Sequence, residues 1–182
     1  MEIILVRHTS VDVPKGICYG QTDVDVAATF EAEAEVTKAN LTAYMPFDAV
    51  YSSPLKRARQ LAAFCGYDHP TVDDRLMEIS MGEWEMRPYA ELTDDYSREW
   101  FEHYLTMPTP GGESFKMLYQ RVTAFLDELR RCNFSRVAVF AHGGVLACAG
   151  VYGGLFDMAH IWDHPVEYGG ILKVGEVKEL RR

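Results

Sequence analysis

The chain has 182 residues, 48% hydrophobic and 25% charged, and its 27 acidic and 18 basic residues give a formal net charge of −9. That balance suits one globular domain burying roughly 70% of its unfolded surface, and it excludes disordered, collagen-like and coiled-coil chains. With acids in excess and no basic block, nucleic acid and anionic membranes are not expected as partners. A small anion touched by arginines is not excluded, because screening acts on charges separated by more than about 8 Å at physiological salt.

In chain order, Ile3-Ile4-Leu5-Val6 between Glu2 and Arg7 reads as a buried strand. It is too short for a signal-peptide core or a membrane span, so a soluble, cytoplasmic chain is expected. Residues 27–44 carry a helical period. Ala49-Val50-Tyr51 is a second short strand, followed by Ser53 as a helix cap and Pro54 in the first turn of a helix running to about Phe64. Val72 lies in a brief strand. Residues 75–87 are irregular, 89–104 are aromatic and acidic with one or two helices, and 108–112 form a loop of breakers. Phe115, Leu118, Val122, Phe125, Leu126 and Leu129 make the apolar stripe of a helix over 114–132. A strand over 137–140, a helix over 144–152 and one or two terminal strands over 171–177 complete the pattern. Short apolar runs alternating with helical stretches predict an α/β fold, a three-layer α/β/α sandwich with a mostly parallel sheet. No linker or repeat divides the chain, so residues 1–182 are expected to form one domain. Cys18, Cys65, Cys132 and Cys148 show no C-x-x-C spacing and are expected to be reduced and mostly packed.

In such a sheet, ligands bind beyond the carboxyl ends of the strands. The first strand delivers Arg7 and His8. The second delivers Ser52 and Ser53, with Arg57 one helical turn further on, and the strand over 137–140 delivers His142, Gly143 and Gly144. One Arg-His dipeptide carries little weight, but two histidines and two arginines at three strand ends predict an anion site. Phosphoryl transfer depends on positioning and on stabilising charge over the non-bridging oxygens. Guanidinium forks match those oxygens, and helix-start amides such as that of Gly143 add donors. A neutral imidazole is a competent nucleophile, and the arginines flanking His8 oppose its protonation. Other phosphate chemistries lack their signatures: there is no G-x-x-x-x-G-K-[ST] loop, no cysteine has an arginine six positions on, and Asp23-Val24-Asp25 follows a turn and not an apolar strand.

With these residues in place, the chain resembles the histidine phosphatase superfamily, the phosphoglycerate-mutase-like fold family. Arg7-His8 stands at the family's Arg-His-Gly signature and residues 18–23 (Cys-Tyr-Gly-Gln-Thr-Asp) follow it. Residues 52–58 (Ser-Ser-Pro-Leu-Lys-Arg-Ala), 76–82 (Leu-Met-Glu-Ile-Ser-Met-Gly) and 141–145 (Ala-His-Gly-Gly-Val) match the later blocks in order. The resemblance implies that His8 attacks phosphorus and that Arg7, Arg57, His142 and the Gly143 amide hold the phosphoryl oxygens. It implies that Glu78 protonates the leaving alkoxide and later activates water. It also implies Tyr19, Gly20, Gln21 and Trp84 as substrate contacts, and neither a metal nor another cofactor.

Within the superfamily, residues 81–87 and 110–114 are most similar to the group that dephosphorylates α-ribazole 5′-phosphate, an ester with an apolar benzimidazole for which aromatic walls are expected. Tyr19, Trp84 and the Trp100-Phe101-Tyr104 cluster are candidates for those walls. Thr9 and Ser10 stand where the family has Gly and Glu, and Pro14 lies near a phosphate-touching Asn of the mutases, which favours hydrolysis. The expected partner is therefore a small-molecule phosphate monoester. The rival readings are a sugar-phosphate phosphatase, a phosphoglycerate mutase and a non-catalytic phosphate-binding homologue; oligomeric state is not readable. His160 and His164 are spaced like helical metal ligands, but Pro165 follows at once and a loop or packing role is expected.

Overall fold

A computed structural model of the protein describes residues 1–175. Five strands, β1 (Glu2–Arg7), β2 (Ala49–Ser52), β3 (Thr71–Val72), β4 (Arg136–Ala141) and β5 (Ile171–Val174), form one sheet in the order β3-β2-β4-β1-β5. Strands β1, β2, β3 and β4 run parallel, and β5 pairs antiparallel with β1. Strand β5 realises the first part of the expected terminal pair; Val177 lies outside the described residues.

Alternation along the strands divides the core. Ile3, Leu5, Val137, Val139 and Ala141 share one face with Leu118, Val122, Phe125, Leu126 and Leu129 of α4 (Phe115–Leu129) and Val145, Leu146 and Ala149 of α5 (Gly143–Tyr152). Ile4, Val6, Ala138 and Phe140 share the other with Ala34 and Leu41 of α1 (Phe30–Leu41) and Ala58, Leu61 and Ala62 of α2 (Lys56–Phe64). Both faces are covered, which is why β1 and β4 read as unbroken apolar runs. This is the expected α/β sandwich. A third cluster of Cys18, Met81, Trp84, Leu92 and Trp100 lies outside the two sheet faces. It includes Trp100 of α3 (Asp95–His103), the one α-helix within residues 89–104. Cys18, Cys65 and Cys148 are buried, Cys132 is exposed, and all four are free thiols. Among the described residues no helix is long and apolar enough to cross a membrane.

Two helix starts differ from expectation. The α1 helix begins at Phe30, not near Ala27, because Val26 bridges to Val11 and the Ala27 amide donates to the Ser10 carbonyl, keeping the chain extended there. Ser53 is not the cap of α2 and Pro54 lies before its first turn. The Lys56 amide at the helix start instead donates to Oδ1 of Asp23 at 2.8 Å, a cap supplied from a distant loop.

The register sets the strand ends level: Arg7 lies opposite Ala141, and Ser52 opposite Phe140. The ladder then continues one residue further, with the His8 amide on the Ala141 carbonyl and the Ser53 amide on the Phe140 carbonyl. His8, Ser53 and His142 therefore leave the sheet side by side.

Phe125, 2% exposed and edge-on to Tyr51 at 5.4 Å, is a direct test of the first core face. Phe125→Ala should cost about 3–5 kcal/mol in urea unfolding. Met117→Ala on the same helix, where the side chain is 44% exposed, should stay within about 0.5 kcal/mol of the parent.

Candidate active site

His8 is 3% exposed, and its Nδ1 lies 2.7 Å from the Thr9 carbonyl oxygen. A carbonyl only accepts, so Nδ1 carries the proton and Nε2 presents its lone pair. Burial is the main force pulling the imidazole pKa down to about 3; the Arg57 and Arg7 charges add to it and the Thr9 carbonyl opposes them. The ring is neutral at physiological pH. His142 follows β4, with its ring centroid 5.2 Å from that of His8 and its Nε2 2.7 Å from Ser53 Oγ. Burial, then His8 and the nearby arginines, hold it far below the ordinary histidine value.

Two arginines frame the histidines. Arg7 donates from Nη1 to the Val166 carbonyl at 2.6 Å, and its guanidinium lies 4.1 Å from the centre of the Tyr168 ring. Gly143, the first residue of α5, leaves room beside it: a Cβ there would lie 3.3 Å from Arg7 Cζ. Arg57 is 0% exposed and donates from Nη1 to the Thr22 carbonyl at 2.9 Å and from Nη2 to the Gly20 carbonyl at 2.6 Å. That turn is shaped by Glu85, whose carboxylate accepts from the Gly20 and Gln21 amides at 2.9 and 2.8 Å and from the Thr22 hydroxyl at 2.7 Å. Burial pushes the Glu85 carboxyl up, but these donors outweigh it and hold it below the usual range.

Glu78 reaches the same edge from the irregular segment. Its Oε1 accepts from the Ile79 amide at 2.9 Å and its Oε2 from the Gly144 amide at 3.0 Å, in the first turn of α5. The absence of a side chain at position 144 makes room for this contact: a Cβ there would lie 2.3 Å from Glu78 Oε1 and would displace the carboxyl. Gln21 joins in by donating from Nε2 to the Glu78 carbonyl at 3.1 Å.

The structure thus brings Arg7, His8, Tyr19, Gly20, Gln21, Arg57, Glu78, His142 and Gly143 into one connected cluster. Trp84 is not among them, contrary to expectation. It is 2% exposed and packs edge-on against Trp100 at 5.1 Å, so its indole serves the third core cluster. His160 pairs with Asp157 at 2.6 Å and His164 packs on Phe156, and no group of three His, Cys, Asp or Glu among the described residues could hold a metal ion. Sequence reasoning missed Tyr168, whose ring lies 5.5 Å from that of His8 and whose hydroxyl meets that of Tyr19 at 3.0 Å. It also missed Glu85, which touches only backbone amides and a threonine.

Among the described residues, the buried side-chain atoms without a hydrogen-bond partner include Arg7 Nε, Arg57 Nε and His142 Nδ1. Such orphans concentrated in one place mark a site shaped for a ligand with acceptor oxygens. A neutral imidazole nitrogen between guanidinium groups, with a carboxylate and a second imidazole alongside, at the carboxyl edge of a parallel sheet, is a layout suited to binding an anionic group beside a histidine. The chain matches the histidine phosphatase superfamily (branch 1) over residues 3–178 and belongs to that family. It is similar to phosphoserine phosphatase 1 of Hydrogenobacter thermophilus, 31% identical across 76% of this chain and 69% of that protein. It is 27% identical to the adenosylcobalamin/alpha-ribazole phosphatase of Salmonella typhimurium, across 93% of this chain and 87% of the relative. The alpha-ribazole phosphatase structure from Shigella flexneri shares the fold, with a TM-score of 0.85 at 23% identity over 95% of this chain and 89% of that one.

The electrostatics predict a titration result. Side-chain nitrogen spectra should show His8 neutral from pH 8 down to 5, whereas exposed His160, raised by its bond to Asp157, should protonate above the ordinary value. Unfolded histidine takes up its proton near about pH 6.5, while folded His8 waits until about 3. The unfolded state therefore binds the extra proton across that window, and stability should fall as pH is lowered through it. A His8 signal titrating near its free value would contradict the buried, arginine-flanked placement.

Proposed function

We propose that the protein is a metal-independent phosphomonoesterase that works through a phosphohistidine on His8, in the cytoplasm, with α-ribazole 5′-phosphate as its substrate. One observation carries the chemistry: Nδ1 of His8 is committed to the Thr9 carbonyl, so the nitrogen bearing a lone pair sits within the arginine-lined cluster. Arg7, Arg57, His142 and the Gly143 amide hold the non-bridging oxygens, and Nε2 of His8 attacks phosphorus. As the N–P bond forms, the ester P–O bond breaks and the Glu78 carboxyl passes its proton to the departing alkoxide oxygen. Water then attacks phosphorus and gives a proton to Glu78, and the N–P bond breaks to return neutral His8 and free phosphate.

The choice of ester is supported by the apolar surface next to the cluster. Tyr19 and Tyr168 cover the two arginines, and their hydroxyls meet at 3.0 Å. Flat aromatic surface beside an anion site suits a benzimidazole nucleoside better than a zwitterionic amino acid. The likeness to the Salmonella enzyme agrees with that choice. The second reading is phosphoserine, favoured by the 31% identical relative.

Turnover of a panel of α-ribazole 5′-phosphate, phosphoserine, 3-phosphoglycerate and a sugar phosphate tests the substrate. The first should give the highest kcat/KM, and a comparable or higher value on phosphoserine would transfer the assignment. His8→Ala should abolish acid-labile labelling by a phosphate donor and reduce hydrolysis by at least about 10³-fold while the circular dichroism stays unchanged. A label that persists would place the nucleophile elsewhere. Chelators should leave turnover unaffected, and an inhibition reversed by added divalent metal would contradict the metal-free scheme.

A further inference from the structure

Arg121 stands on α4 where the apolar stripe of Leu118, Val122 and Phe125 would place a hydrophobic residue, and its side chain is 18% exposed. Its guanidinium is fully committed. Nη1 donates to the carbonyls of Arg75 at 2.9 Å and Met77 at 2.6 Å, and Nη2 donates to the carbonyl of Glu78 at 2.8 Å. The remaining bonds go to Glu113, with Nε to Oε1 at 2.8 Å and Nη2 to Oε2 at 2.9 Å. Glu113 carries the grip past Glu78: its Oε2 accepts from the Ser80 amide at 2.8 Å, and its own amide donates to the Ser80 carbonyl at 2.8 Å. Burial pushes the Glu113 carboxyl up, and the Arg121 and Ser80 donors more than offset it.

The segment 75–80 lies in a stretch without regular hydrogen-bonded structure beyond short 3₁₀ turns, so nothing periodic sets the direction in which Glu78 leaves the backbone. Gln21 and the α5 amide touch Glu78 from the side of the histidines. Arg121 and Glu113 hold the backbone before it, at it and after it. We propose that Arg121, oriented by Glu113, is a positioning residue that aims the Glu78 carboxyl at the leaving-group oxygen of the phosphate ester. The inference rests on the reading of Glu78 as proton donor in the hydrolysis above. It adds that the aim is set from α4, by a planar fork that lysine cannot reproduce.

A residue that only anchors the loop would slow all esters alike when changed. A residue that aims the acid matters in proportion to how much the leaving oxygen needs its proton. The measurement is kcat/KM, which reports phosphoryl transfer to His8, for propyl phosphate, whose alkoxide is strongly basic, and for p-nitrophenyl phosphate, whose phenolate departs unaided. Glu78→Gln should lose about 10² or more on propyl phosphate and far less on the nitrophenyl ester. Arg121→Lys should lose on the order of tenfold or more on propyl phosphate and under about threefold on the nitrophenyl ester, since misplacing a catalytic group by a fraction of an ångström to 1 Å has effects of that size. Glu113→Gln, which keeps the side-chain shape, should show the same selectivity more weakly and serves where Arg121→Lys does not fold. Selective loss in Glu78→Gln with equal losses on both esters in the Arg121 or Glu113 variant would overturn the inference and leave the proton-donor reading standing. Equal losses on both esters in Glu78→Gln would overturn that reading and the inference with it.

Discussion

The structure is organised around keeping the guanidinium of Arg57 in a dry interior. Burying a charge is unfavourable unless its hydrogen bonds are replaced, and burial accordingly disfavours the charged form of Arg57, with Glu78, Tyr19, Asp23 and Glu85 pulling the other way. Two backbone carbonyls, those of Gly20 and Thr22, take its protons directly. Because these acceptors are neutral, much of the positive charge is left for whatever enters the cluster, and the same charge adds to burial in keeping His8 unprotonated. A carboxylate paired directly with Arg57 would satisfy the guanidinium and cancel its use. Glu85 stands one layer out, behind the turn that supplies the carbonyls, and so adds negative charge without pairing with Arg57.

The division of labour recurs. Glu85 organises residues 20–22 and Glu113 organises residue 80, each through backbone amides, and each is held ionised against the effect of burial. The sheet supplies level strand ends, and the irregular connections carry the remaining groups. Charged side chains bond to the backbones of those connections where no helix or strand does, and charge-assisted bonds are stronger than neutral ones.

What could be read from sequence follows the same line. Strands β1 and β4 were legible because burial on both faces leaves continuous apolar runs, and α4 because its stripe has the helical period. The site residues at the strand ends were legible from topology alone, since Arg7, His8 and His142 follow those runs directly. Ser53 was misread because a serine before a helix ordinarily caps it; here Asp23 does so across the fold, and Ser53 meets His142. Trp84 was misread because an indole near a proposed pocket suits a wall as well as a core, and only packing separates the two. Glu85 and Tyr168 had no signal, since they themselves lie in connections without periodicity. Arg121 had a faint one, a permanent charge on an apolar helix face, which requires a buried set of acceptors.

The segment running from Val166 into β5 is stitched to the other end of the chain. The Val166 carbonyl receives Arg7, the Gly169 amide donates to the His8 carbonyl, the Arg7 amide donates to the Gly170 carbonyl, and β5 pairs with β1. Arg7 and His8 thus emerge from the ribosome long before the residues that complete their surroundings. During synthesis the His8 side chain therefore waits for its surroundings, since Arg7 and Val166 stand 159 positions apart. A chain stopping short of Val166 would accordingly lack the closed surroundings of His8, which come together only once both segments have been made.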